Sequence, residues 1–159
     1  MNIATADLCD QFPEQVNIIP WPLRSFGGKE NIAGEIVTLR VSGCNQGIID
    51  CLETNGENRI LVVENNGPES NAVTGDRLAK MAVEHNWQGI VIFGNIRDSV
   101  MIKTLPLGVW ACGTYPMRGK SGRSYIKDAE IVFQNFAVNS GDWLYADADG
   151  VVVAKEKLG

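Results

Sequence analysis

The chain has 159 residues, 45% of them apolar and 21% charged, an ordinary balance for a globular domain with a sizeable core. A net charge of −5 argues against direct nucleic-acid binding, which needs a basic surface, although a pocket on an acidic protein can still be locally positive. Four cysteines without a CxxC pair, and His85 as the single histidine, argue against a Cys/His zinc site; with no secretory leader and no apolar run long enough to cross a membrane, free thiols in a reducing cytoplasm are expected.

Thr5 predicts a helix cap, with Leu8, Cys9 and Phe12 on one face and Pro13 ending or kinking the helix. Pro20 and Pro22 bracket Trp21 in an irregular link. "GEIVTLRVSG", from Gly34, alternates Val37, Leu39 and Val41 against Ile36, Thr38 and Arg40, the pattern of a half-buried strand. "NQGIIDCLETNG" places Ile48, Ile49 and Leu52 at helical spacing and stops at Gly56. "RILVVEN" reads as a strand buried on both faces, followed by the polar loop "NNGPESNAVTGD".

Thr74 or Asp76 opens a helix through Leu78, Met81 and Ala82 that ends near Asn86. "GIVIFG", from Gly89, is a third strand, which Gly94 is expected to break. A short helix over 100–105 and a strand "GVWAC" follow, and the last third carries strands "EIVFQ", "WLYAD" and "VVVAK", with Gly141 and "DADG" as turns. Strands alternating with helices, then a run of strands, predict an α/β layered domain with a mixed sheet. No repeat or low-complexity stretch divides 1–159, so one domain is expected.

Several motifs dissolve on inspection. "GTYPMRGKS", from Gly113, looks like a phosphate loop, but five residues separate Gly113 from Gly119 where the motif needs four. It reads as a mobile basic loop: Arg118, Lys120 and Arg123 could meet an anionic substrate or partner, but a solvated loop is the preferred reading. "DADG", Asp147 onward, lacks the third acidic position and the closing Glu of a calcium loop, so a hairpin turn explains it. His85 reads as a surface residue and the cysteines as packing residues, and no GxSxG elbow is present.

Two places hold more. Gly75, Asp76, Arg77 and Leu78 form the first turn of a helix, where free amides and the helix dipole make a seat for an anion. Arg97 and Asp98 follow the third strand. In a βαβ unit these places meet at the carboxyl ends of neighbouring strands, where ligands bind in open α/β sheets. A keto-acid carboxylate would sit on the amides, Arg97 would reach the keto oxygen or the carboxylate with a bidentate fork, and Asp98 would hold a hard divalent ion acting as a Lewis acid. The alternative is a capped helix and a loop ion pair of little worth.

The chain resembles the RraA-like family, which includes the regulator of ribonuclease E activity and the class II 4-hydroxy-4-methyl-2-oxoglutarate aldolases. The resemblance rests on "TADLCD", "FGG" at 26–28, "GEIVT", "RILVVE", "GD" at 75–76 followed after twenty residues by "RD" at 97–98, "LPLGVWACGTYP" and "SGDWLYADADGVVV". It implies a swivelling β/β/α-type domain, a homotrimer with sites between protomers, and pyruvate bound on the amides of Gly75, Asp76, Arg77 and Leu78. It further implies that Arg97 contacts substrate, that Asp98 binds Mg2+ or Mn2+, and that Asp76 helps to hold metal-bound water. Aldolases of the family also decarboxylate oxaloacetate through the same pyruvate enolate.

The chain departs from the aldolase pattern twice. Met101 stands where the motif has an acidic residue, and the chain stops at Gly159 where aldolases extend to supply an acidic residue to a neighbour. Retention of both Arg97 and Asp98 favours the lyase. The other class is a non-catalytic regulator that inhibits ribonuclease E through its acidic surface.

Overall fold

The computed structural model describes residues 3–67 and 71–159, so that Pro68, Glu69 and Ser70 of the expected polar loop lie outside the described residues. At its centre four parallel strands stand in the order β3 (Ile32–Val41), β4 (Ile60–Asn65), β6 (Gly89–Ile96) and β7 (Gly108–Thr114). The crossovers carry α2 (Gln46–Leu52), α3 (Asp76–Glu84) and α4 (Ser99–Ile102), with β5 (Ala72–Thr74) leading into α3.

The strand sequences explain the layering. Successive side chains alternate faces: Leu61 and Val63 of β4 join one core with Ile48 and Leu52 of α2, Leu78 and Ala82 of α3, and Ile102 of α4. Ile60 and Val62 enter a second core on the opposite face. Because both faces are covered, these strands read as unbroken apolar runs.

The second face is closed by antiparallel structure. Leu144 and Ala146 come from β11 (Trp143–Asp147), Val151 and Val153 from β12 (Gly150–Ala154), and Ile131 and Val138 from β9 (Ile131–Val132) and β10 (Ala137–Val138). β3 joins the two halves by changing partners along its length. Residues Ile32, Ala33, Gly34 and Glu35 pair with β11, and Ile36 onward pairs in parallel with β4. The far edge of β12 takes β1 (Val16–Ile18), β8 (Tyr125–Lys127) lies against β3, and β2 (Arg24–Ser25) against β7. This is the layered α/β architecture with a mixed sheet that the sequence predicts.

Four local expectations are corrected. Gly94 does not end β6, which runs on to Ile96; its register against β7 shifts between Ile92 and Asn95, and β5 pairs with Asn95 and Ile96. Thr5 does not cap α1 (Thr5–Gln11): Ala4 is at the cap, and Thr5 lies inside the helix, donating its N–H to Asp147 Oδ2 (2.8 Å) and its Oγ1 hydroxyl to Asp147 Oδ1 (2.7 Å). α2 ends at Leu52, before Gly56, where Thr54 turns back onto the Cys51 carbonyl. The short helix spans Ser99–Ile102 rather than 100–105. The "DADG" segment is a tight hairpin turn, with Asp147 pairing with Gly150.

Candidate active site

Gly75 stands at the cap position of α3 in extended backbone, and Asp76 begins the helix. Directly opposite, β6 ends and Asp98 adopts the left-handed conformation (φ 61°, ψ 37°). That turn points the Asp98 carboxylate back at α3, where Oδ2 accepts the Asp76 backbone N–H at 3.0 Å. A Cβ on Gly75 would lie 2.5 Å from the same oxygen, so only glycine admits this approach. The Arg97 N–H donates to the Thr74 carbonyl at 3.0 Å and so ties the end of β6 to the strand before α3. A cleft of about 350 Å³ opens here, lined by Thr74, Gly75, Asp76, Arg77, Leu78, Arg97 and Asp98, with Asn45 and Arg118 at its rim.

Every residue singled out in the sequence therefore faces one cleft, but the anion seat is different from the bare helix start expected. The leading amide of α3 already holds the Asp98 carboxylate. Burial pushes the Asp76 carboxyl upward, yet its bonds with Lys80 and Asp98, the Lys80 charge and the Arg77 amide outweigh this and hold it below the ordinary aspartate range. Lys80 Nζ lies 3.3 Å from Asp76 Oδ2, one helical turn on.

Sequence reasoning missed Thr74 as a site residue, and it ranked a solvated loop above an anion contact for Arg118. Thr74 is 2% exposed, and among the described residues its Oγ1 has no hydrogen-bond partner. Buried polar groups are nearly always paired, so an orphan at a cleft floor marks a place where a ligand would be contacted. Arg118 belongs to the loop after β7, which sequence composition alone cannot place. Cations following a fourth parallel strand, β7, were the available signal. His85 and the cysteines stay outside: His85 ends α3 and contacts the Met81 carbonyl through Nδ1 (2.9 Å), and none of the four cysteines forms a disulfide.

The donor set can be tested for a metal. Asp76 and Asp98 edge the cleft, and among the described residues no group of three or more His, Cys, Asp or Glu gathers at any one place. One or two carboxylates, with water completing the shell, suit Mg2+ or Mn2+ and do not suit zinc. The residues fit a hard divalent ion held by Asp98.

The chain was compared with known proteins. It is 40% identical over 158 residues to a protein of Laribacter hongkongensis that carries the provisional name 4-hydroxy-4-methyl-2-oxoglutarate aldolase, with 99% of each chain covered. A Vibrio cholerae protein of the same provisional name is 36% identical, with 99% of this chain and 98% of that one covered. Among solved structures, one described as an S-adenosylmethionine:2-dimethylmenaquinone methyltransferase from Geobacillus kaustophilus superposes with a TM-score of 0.93 at 40% identity, covering 98% of this chain and 97% of that one. The RNA-processing inhibitor RraA from Thermus thermophilis also superposes with a TM-score of 0.93, at 31% identity, covering 100% and 96%. The family model RraA-like, described as Aldolase/RraA, matches residues 5–153, and the chain belongs to that family.

Proposed function

We propose that the protein is a divalent-metal-dependent lyase of small keto acids. It would cleave aldols of the 4-hydroxy-4-methyl-2-oxoglutarate kind and decarboxylate oxaloacetate, both through a pyruvate enolate. The names of its relatives assign three unlike activities to one fold, so the site has to discriminate among them. The observation that carries the lyase reading is the Asp98 carboxylate turned back against the α3 start by a left-handed backbone, with Arg97 beside it.

The chain's own groups account for the chemistry as follows. Arg97 pairs its planar fork with the substrate carboxylate or keto oxygen and fixes the plane of the keto acid. The positive end of α3 adds a favourable field for that anion. When bound, the metal supplies Lewis acidity toward the keto oxygen. The C3–C4 bond then breaks, its electron pair passes into the enolate, and Arg97 stabilises the developing oxyanion. Asp76, at the edge of the cleft, is the acceptor for the hydroxyl proton released in aldol cleavage. Protonation at C3 gives pyruvate.

The test is pyruvate release from oxaloacetate by purified protein, with magnesium and with a chelator. Activity that chelation removes is expected; none at saturating manganese overturns the reading. A second reading, a binding regulator of a ribonuclease, is favoured by the 31% identical RNA-processing inhibitor and by the net charge of −5. Exposed charges are screened, so such binding weakens with salt and is indifferent to Asp98→Ala. Ribonuclease inhibition by that variant, together with a wild type that has no lyase activity, reverses the ranking.

A further inference from the structure

The cleft continues beyond Arg97. A second hollow of about 840 Å³ shares Asn45, Arg77 and Arg118 with the first and is lined further by Asn71, Met117 and Lys120. Its wall is the basic loop that the sequence marks as solvated. The backbone of that loop is stapled down. Ala72 donates to the Met117 carbonyl (2.7 Å), Gly119 donates to the Ala72 carbonyl (2.8 Å), and Lys120 donates to the Gly43 carbonyl (3.1 Å). A Cβ on Gly119 would lie 2.3 Å from the Gly43 carbonyl oxygen, so glycine is what lets the loop seat this deeply. Arg97 Nη1 also reaches the Pro116 carbonyl (3.4 Å), joining the loop to the inner site.

Three cations, Arg77, Arg118 and Lys120, thus line one hollow on an acidic protein, and among the described residues none of them takes part in an ion pair. At the same wall Asn71 is 5% exposed, yet among the described residues its Oδ1 has no hydrogen-bond partner. Unpaired cations ask for an anion, and an orphaned buried acceptor asks for a donor such as a hydroxyl. The aldol adduct of a keto acid offers both on its leaving half.

We propose that this hollow is the subsite for the leaving half of the substrate, in which Arg118, supported by Arg77 and Lys120, binds a distal carboxylate and Asn71 accepts from the adjacent hydroxyl until cleavage, when that proton passes to Asp76. Arg118 is then the residue that selects the dicarboxylates of the proposed reaction over keto acids with one carboxylate. The proposal rests on the lyase reading for its substrate but not for its binding test.

Two measurements test it, both with magnesium present. The first is calorimetric binding of 2-oxoglutarate and 2-oxopentanoate, which differ in the distal carboxylate and need no cleavage. Wild type is expected to bind the dicarboxylate about 10- to 100-fold more tightly, the range for a charge-assisted bond. Arg118→Gln should collapse that ratio, Lys120→Gln should reduce it, and Arg118→Lys should restore part of it. Equal binding of the two acids by wild type, or a ratio unchanged in Arg118→Gln, overturns the subsite. The second is kcat/KM for a 4-hydroxy-2-oxo acid ending in a carboxylate against one ending in methyl. The same collapse is expected in Arg118→Gln, entering through KM. If wild type turns over neither acid, the lyase reading fails while the binding ratio still decides the subsite.

Discussion

Asp98 concentrates most of the site's requirements in one residue. Its left-handed backbone is tolerable for Asp and Asn, free for Gly, and strained by about 1–2 kcal/mol for Ala. Its carboxylate meets an amide and is the residue that would hold the metal. These two roles separate by substitution. Asp98→Asn and Asp98→Ala are both expected to abolish metal-dependent turnover, while thermal unfolding should show Ala about 1 kcal/mol less stable than Asn. Equal stability of the two would mean that the backbone relaxes out of the left-handed region. Arg97 gives a complementary test. Arg97→Lys keeps the charge and loses the fork, so kcat/KM for pyruvate release should fall about 100-fold, with the far-UV spectrum unchanged. Kinetics equal to wild type would put Arg97 outside the reaction.

Among the elements, the junction of β5 with α3 is the most constrained. Gly75 has backbone dihedrals that any residue adopts; what forbids a side chain is the Asp98 oxygen. Gly75→Ala should therefore fold, displace Asp98 and weaken manganese binding about 10- to 100-fold by calorimetry. Undiminished binding would show that the approach is dispensable. α1 supplies a pH test away from the site. Burial raises the Asp147 carboxyl, but bonds from the Thr5 amide and hydroxyl and from the Asp149 and Gly150 amides outweigh it and hold the group below the ordinary aspartate value. The stabilisation is complete above the unfolded value and is lost as pH falls through the lowered folded value. The melting temperature of wild type should accordingly drop more steeply than that of Asp147→Asn between about pH 5 and 2. Parallel slopes would remove the linkage.

These elements also show what the sequence makes legible. β4 and β6 stand out because burial on both faces leaves an apolar run, and the DADG turn because a hairpin needs those residues. Strands of two or three residues, such as β2 and β5, carry no period to read; they exist only because β7 and β6 offer a free edge. The pair at Asp76 and Asp98 could be guessed from the rule that ligands gather at strand carboxyl ends. The seating of Arg118 could not, because bonds from Ala72 and Gly43 place that loop and leave no local pattern in it.

On the scale of the whole molecule, no helix among the described residues is long and apolar enough to cross a membrane. Ile18, Trp21, Ile126 and Val132 are exposed apolar side chains. We propose that the protein assembles as a homotrimer, as family resemblance implies. Light scattering at micromolar concentration should give three times the 17.3 kDa chain mass, and a monomer mass would count against sites shared between protomers.

β1 and β12 pair although they stand near opposite ends of the sequence, and β11 closes against the first half of β3. Loop closure over such separations must precede the contacts that reward it, which makes folding slow. A chain emerging from the ribosome can assemble the parallel strands and their helices early. One face of that sheet then stays uncovered until the last two strands are released. The Phe93, Trp110 and Ile36 side chains, all destined for that face, are the surface a nascent-chain chaperone would meet.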